Sequence, residues 1–86
     1  MNKQDCFELG YDRGVEAAEF GTEEAKTQDE FLEFAFEAEE NSRQFSPFEF
    51  YAHDINCEDN ADELWEEYDR GVAKGIQSVL ESIKVK

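Results

Sequence analysis

The sequence predicts an all-α fold, a small bundle of about four helices with the last one longest. Three observations carry that expectation. Apolar residues recur at three- and four-residue intervals over most of the chain. Capping signatures of the S/T-x-x-E type stand at Thr27–Glu30 and Ser46–Glu49. The one proline, Pro47, follows Ser46 directly, at a first helical position where its missing N–H does no harm.

The first helix is expected from about Lys3 to Phe20. Phe7, Tyr11, Gly14, Val15 and Ala18 fall on one face, and Gly21-Thr22 ends the run with glycine free to take a left-handed cap. The second starts near Thr27. Its body, residues 31–38, also alternates with period two through Leu32, Phe34, Phe36 and Ala38, so a short strand is the alternative there. The alanines, the glutamates and the capping box favour helix. Ser46 starts the third, which presents Phe48, Tyr51, Ala52 and Ile55 before the polar run Asn56–Asn60 stops it. Asn60 can cap the fourth. Asp62, Glu63, Glu66 and Glu67 match the positive end of its dipole, and Lys84 and Lys86 match the negative end. Leu64, Tyr68, Gly71, Val72, Gly75, Ile76, Val79, Leu80 and Ile83 give this helix an unbroken apolar stripe.

Tyr11-Asp12-Arg13-Gly14-Val15 recurs as Tyr68-Asp69-Arg70-Gly71-Val72, and both helices carry a Gly-x-x-x-Gly pair, Gly10/Gly14 and Gly71/Gly75. Glycine inside a helix costs roughly 1 kcal/mol relative to alanine. Four of them call for close helix–helix approach, within one chain or across a homodimer.

Eighty-six residues suit a single domain, 1–86, and twelve aromatics (eight Phe, three Tyr, one Trp) supply a core that a disordered acidic chain would lack. No run approaches the roughly 18 apolar residues of a membrane span. The opening Met1-Asn2-Lys3-Gln4-Asp5-Cys6 has neither the basic region nor the apolar run of a signal peptide. A cytoplasmic protein with Cys6 and Cys57 as free thiols is therefore expected.

No catalytic constellation is legible, so no enzyme and no cofactor are expected. The single His53 has no nucleophile at a recognisable spacing. His53 and Cys57 would share a helical face, but two ligands fall short of the four a structural zinc site takes, and no metal is expected. The run Asp54–Trp65 opens like a calcium loop with Asp54, Asn56 and Glu58. It then places Asp59 where glycine is needed and Trp65 where the bidentate glutamate belongs. It reads as a linker and helix cap.

The charge is the informative property. Twenty-three acids against eight bases give −15, unevenly spread. Residues 1–69 hold 22 acids and 4 bases, a net −18, whereas residues 70–86 hold one acid and four bases, a net +3. Direct nucleic-acid binding is electrostatically disfavoured. The carboxylates expected to meet a partner are Asp29, Glu30, Glu33 and Glu37, then Glu58, Asp59, Asp62, Glu63, Glu66, Glu67 and Asp69. On helices they form stripes about 5–6 Å apart. A ~30 Å stretch of duplex DNA carries about 18 charges, and a compact chain of this length has a radius of gyration near ~12 Å. The expected partner is thus a basic nucleic-acid-binding protein whose cleft the chain would occupy and inhibit as a nucleic-acid mimic. The alternative is a small helical protein–protein interaction module of phage or mobile-element origin, 10.0 kDa per copy and able to form a homodimer, whose acidity serves only solubility.

In size and charge the chain resembles the small acidic anti-restriction and anti-CRISPR proteins of bacteriophages. Ser46-Pro47-Phe48-Glu49-Phe50 and Leu64-Trp65-Glu66-Glu67-Tyr68-Asp69-Arg70-Gly71 look like runs in small phage and mobile-element proteins. The resemblance implies a phage origin and a bacterial host cytoplasm. It is one of type, without a shared motif, and carries over no functional residues.

Overall fold

Residues 2–44 and 46–84 are described by the computed structural model, without the side chains at 23, 24, 46, 47, 83 and 84. They form four helices: α1 (Lys3–Glu24), α2 (Gln28–Ser42), α3 (Ser46–Asn56) and α4 (Ala61–Lys84). No strand occurs among the described residues.

α1 is started by Asn2, whose side chain accepts from the Asp5 N–H at 2.8 Å while the Asp5 carboxylate accepts from the Asn2 N–H at 3.4 Å. The helix runs one turn beyond the expected end. Gly21 is helical and buried against Phe31 and Ala35 of α2, so it serves a close approach and makes no left-handed cap. Ala25 ends the helix instead in extended backbone, its N–H on the Gly21 carbonyl at 3.0 Å.

Thr27 caps α2 through its hydroxyl, which accepts from the Glu30 N–H at 3.2 Å. The return bond differs from the expected box: the Glu30 carboxylate accepts from the Lys26 N–H at 2.9 Å, one residue earlier. Residues 31–38 are helical. Burial explains the choice. Phe31, Ala35 and Glu39 are buried at four-residue steps, whereas Phe36 is exposed, so the period-two pattern has no common face to bury. The expected Ser46 cap falls on a side chain outside the described residues, as do Ile83 and the Lys84 and Lys86 charges. α4 begins with the Leu64 N–H on the Asn60 carbonyl at 3.1 Å.

The α1–α4 pairing holds the molecule together. Residues buried along α1 are its smallest: Cys6, Gly10, Gly14, Ala17, Ala18 and Gly21. Phe7, Tyr11 and Val15, which the spacing placed on the buried face, are half-buried along its edges. The backbones themselves are in contact. A Cβ at Gly71 would lie against the Phe7 carbonyl and 2.8 Å from the Tyr11 nitrogen; one at Gly10 would lie against the Tyr68 carbonyl and 3.1 Å from the Val72 nitrogen. Gly14 meets Val72 and Gly75 meets Tyr11 and Val15 in the same fashion. Contacts advance in the same direction along both helices, so α1 and α4 are parallel and both glycine faces are filled within one chain.

The pairing also has a local two-fold character. Gly10 touches Tyr68 and Val72 as Gly71 touches Phe7 and Tyr11, which matches each α1 residue to the α4 residue 61 positions later. The repeated Tyr-Asp-Arg-Gly-Val segment is offset by 57. It therefore sits four residues, about one helical turn, out of the structural register.

Parallel neighbours need a return path, and α2 provides it. Its Phe31 end lies with Thr22 and Leu80, and its Glu39 end reaches Tyr68, so it runs antiparallel to both partners. α3 closes the lower end, burying Phe48 and Ile55 in the same core as Leu64, Tyr68 and Ile76. The molecule is longer than its size suggested, 43 × 22 × 16 Å with a radius of gyration of 13.3 Å.

Candidate functional site

Two kinds of charged structure sit on this frame, one inside and one outside. The inside one is centred on Glu39 of α2, whose side chain is only 2% exposed. Arg43, one helical turn later, meets it with two parallel bonds: Nε to Oε1 and a terminal guanidinium nitrogen to Oε2, both 3.0 Å. The Tyr68 hydroxyl of α4 donates to the same carboxylate. Arg43 also reaches Asp69 at 3.2 Å and covers the rings of Tyr68 and Trp65 at 5.2 and 6.0 Å.

Electrostatics follow from that packing. Burial, reinforced by the Glu39 bond and charge, pushes the Tyr68 hydroxyl well above its ordinary pKa of 10.0. For Arg43 burial opposes the charge, but the bonds and charge of Glu39, with Tyr68 and Asp69, raise its pKa overall. Arg13 of α1 lies over the Phe48 ring at 5.7 Å. Phe48, Trp65 and Tyr68 pack with centroids 5.4–6.0 Å apart, so both arginines end on one aromatic cluster. No buried side-chain nitrogen or oxygen among the described residues lacks a partner.

The outside structure is the acid. All eleven carboxylates expected to meet a partner are at the surface: Glu30 and Glu67 are half-buried, and the others are exposed. They fall into groups. Asp29, Glu33 and Glu37 follow one outer stripe of α2. Asp62, Glu66 and Asp69 follow one flank of α4, Glu63 and Glu67 the other, and Glu58 and Asp59 occupy the turn before it. Between the antiparallel α2 and α4, Asp69 borders a shallow groove of about 310 Å³ together with Phe36, Glu40 and Arg43. Among the described residues, bases engage Glu63 (Lys3 at 3.3 Å), Glu67 (Arg70 at 3.0 Å) and Asp69 (Arg43 at 3.2 Å).

Glu39 stands in an acidic run beside Glu37 and Glu40, which are exposed, yet it is buried. A signal was available. Arg43 is the one base between Lys26 and Arg70, and it stands four residues after Glu39.

His53 and Cys57 do share a face, with Sγ 3.7 Å from Nε2. In the run that opened like a calcium loop, the Asn56 side-chain oxygen is taken by the Trp65 indole N–H at 2.8 Å. No group of three or more His, Cys, Asp or Glu suited to a metal ion is present among the described residues. No helix among them is long and apolar enough to cross a membrane. Comparison of the chain with protein-family models, curated proteins and solved structures found no match.

Proposed function

We propose that this chain is a non-catalytic acidic inhibitor that occupies the cleft of a basic nucleic-acid-binding protein as a nucleic-acid mimic. One observation carries the reading: the acid stripes face outward while two of the four bases among them are drawn onto aromatic rings. Of the four bases in residues 1–69, Arg13 and Arg43 lie on the aromatic cluster, and the acid stripes on α2 and α4 keep their charge at the surface. Length supports the same reading. Duplex DNA of 43 Å carries about 25 phosphates, and this 43 Å molecule carries 23 acids. A host-cell cytoplasm and a phage source, as for the inhibitors it resembles, fit this role.

A second reading has its own observation. Phe20 and Phe50 are 71% and 76% exposed, and Phe36 and Tyr51 are also open, which is the surface an apolar interaction module would use. A bacterial-lysate pull-down at low and at about 0.5 M salt separates the two. Mimicry expects a captured protein that binds nucleic acid, leaves at high salt and is displaced by duplex DNA. Capture that persists through salt and ignores added DNA overturns it in favour of the apolar module.

A further inference from the structure

His53 stands on the last turn of α3 and Cys57 directly after that helix ends, both exposed, kept in helical register by the Cys57 N–H on the His53 carbonyl at 3.1 Å. Their Sγ and Nε2 atoms are 3.7 Å apart. Two ligands on one tetrahedral zinc, at about 2.3 Å for sulfur and about 2.0–2.1 Å for nitrogen, are separated by about 3.6 Å. The pair is therefore spaced as two adjacent corners of such a centre. Its setting favours a cation: it lies at the negative end of a helix dipole, with Asp54, Glu58 and Asp59 adjacent in sequence. One chain offers only these two corners, since no third ligand joins them among the described residues and Cys6 is enclosed in the core.

We propose that a second copy of this chain supplies the other two corners, so that a zinc-class divalent cation joins two chains through His53 and Cys57 of each. Both thiols lose their protons to solvent and bind as thiolates, and both imidazoles bind through the Nε2 lone pair. Two chains and one dication thus give a neutral Cys₂His₂ centre and two released protons, with no change of oxidation state. The site is independent of the mimic reading, and salt distinguishes the two. Chains of −15 each repel, so added salt promotes the metal-joined pair, whereas it weakens binding to a basic partner.

The test is a titration of Co²⁺ into the full chain, held reduced by a non-thiol reductant, with absorption and sedimentation read together. The expected result is one cobalt per two chains, intense visible bands of a tetrahedral ion, thiolate charge-transfer absorption and a doubled mass. Zinc should then bleach the bands without halving the mass. Cys57→Ser and His53→Ala alter exposed side chains and should keep the parent circular dichroism while losing both signals. Only pale octahedral absorption, one cobalt per chain, no binding, or a doubled mass that survives Cys57→Ser would each overturn the proposal.

Discussion

The glycine seam between α1 and α4 and the acid stripes of α2 and α4 obey opposite rules. At the seam, backbone meets backbone, and an added Cβ at Gly71 would already press on the Phe7 carbonyl. Nothing flexible is present to move aside. On the stripes, side chains stand in water about 5–6 Å apart, and no single one is required by the packing. Precision is thus concentrated in a few atoms at the seam and diluted over many on the surface, so stability and binding should be separable by mutation.

The largest effect should come from breaking the seam. Gly71→Leu or Gly75→Leu forces the helices apart and should remove more than about 3 kcal/mol from a domain with roughly 4–13 kcal/mol in total. Thermal melts read this directly, and parent-like melting of both variants would refute the seam. Next comes the inner charge. Arg43→Met leaves the buried Glu39 carboxylate short of its main partner and should cost about 2–4 kcal/mol, below the value for a fully enclosed pair because Arg43 is 35% exposed. Arg43→Lys should restore only part of that, since a point charge cannot repeat the two parallel bonds.

Changing Asp62, Glu63, Glu66 and Glu67 together to their amides should weaken binding to a basic partner at least about tenfold. The helix should survive, with loss of a few tenths of a kcal/mol per site. Stability of the parent should rise with salt as like-charge repulsion is screened, and the fourfold variant should respond less. Unchanged affinity at about 0.5 M salt would transfer the binding energy from the stripes to the exposed aromatics.

Alkaline pH probes the buried titratable groups. The folded-state pKa of Tyr68 is raised, so its contribution is complete below the ordinary value of 10.0 and is lost as pH rises above it. Burial raises the Cys6 thiol from 9.0 with the same sign. Urea midpoints should therefore be level near neutrality and fall from about pH 9 upward. Tyr68→Phe should flatten the upper part of that fall. Smallest of all is Glu63→Gln, expected within about 0.5 kcal/mol in stability.

The same division explains what the sequence disclosed. α4 was legible almost residue by residue, because Leu64, Tyr68, Val72, Ile76 and Leu80 are large, apolar and buried as their spacing implies. α1 was legible as a helix but rotated in its buried face. Hydrophobicity weights Phe7 and Tyr11 above Gly10 and Gly14, yet where two backbones touch, the smallest residues lie innermost. Glu39 was missed for a related reason. A buried carboxylate looks like its exposed neighbours until its partners Arg43 and Tyr68 are placed, and Tyr68 lies 29 residues away. The surface placement of the acids on α2 and α4 followed directly from helix spacing. That Asp69 borders a groove with Glu40 depended on the antiparallel course of α2.

The parallel seam also sets a timetable for the nascent chain. Residues 7–15 must find residues 68–76, so the central contact of the fold waits for a loop of about 60 residues to close. α1 leaves the ribosome with a glycine-rich face that has nothing to cover it, and a glycine-rich helix is weak in isolation. Translating the 24 residues of α4 takes roughly 1–5 s. Until that helix emerges, α1 to α3 are an acidic segment without their principal partner. Folding is therefore postponed until α4 has emerged, and the acidic charge is already present to keep the waiting chain apart from its neighbours.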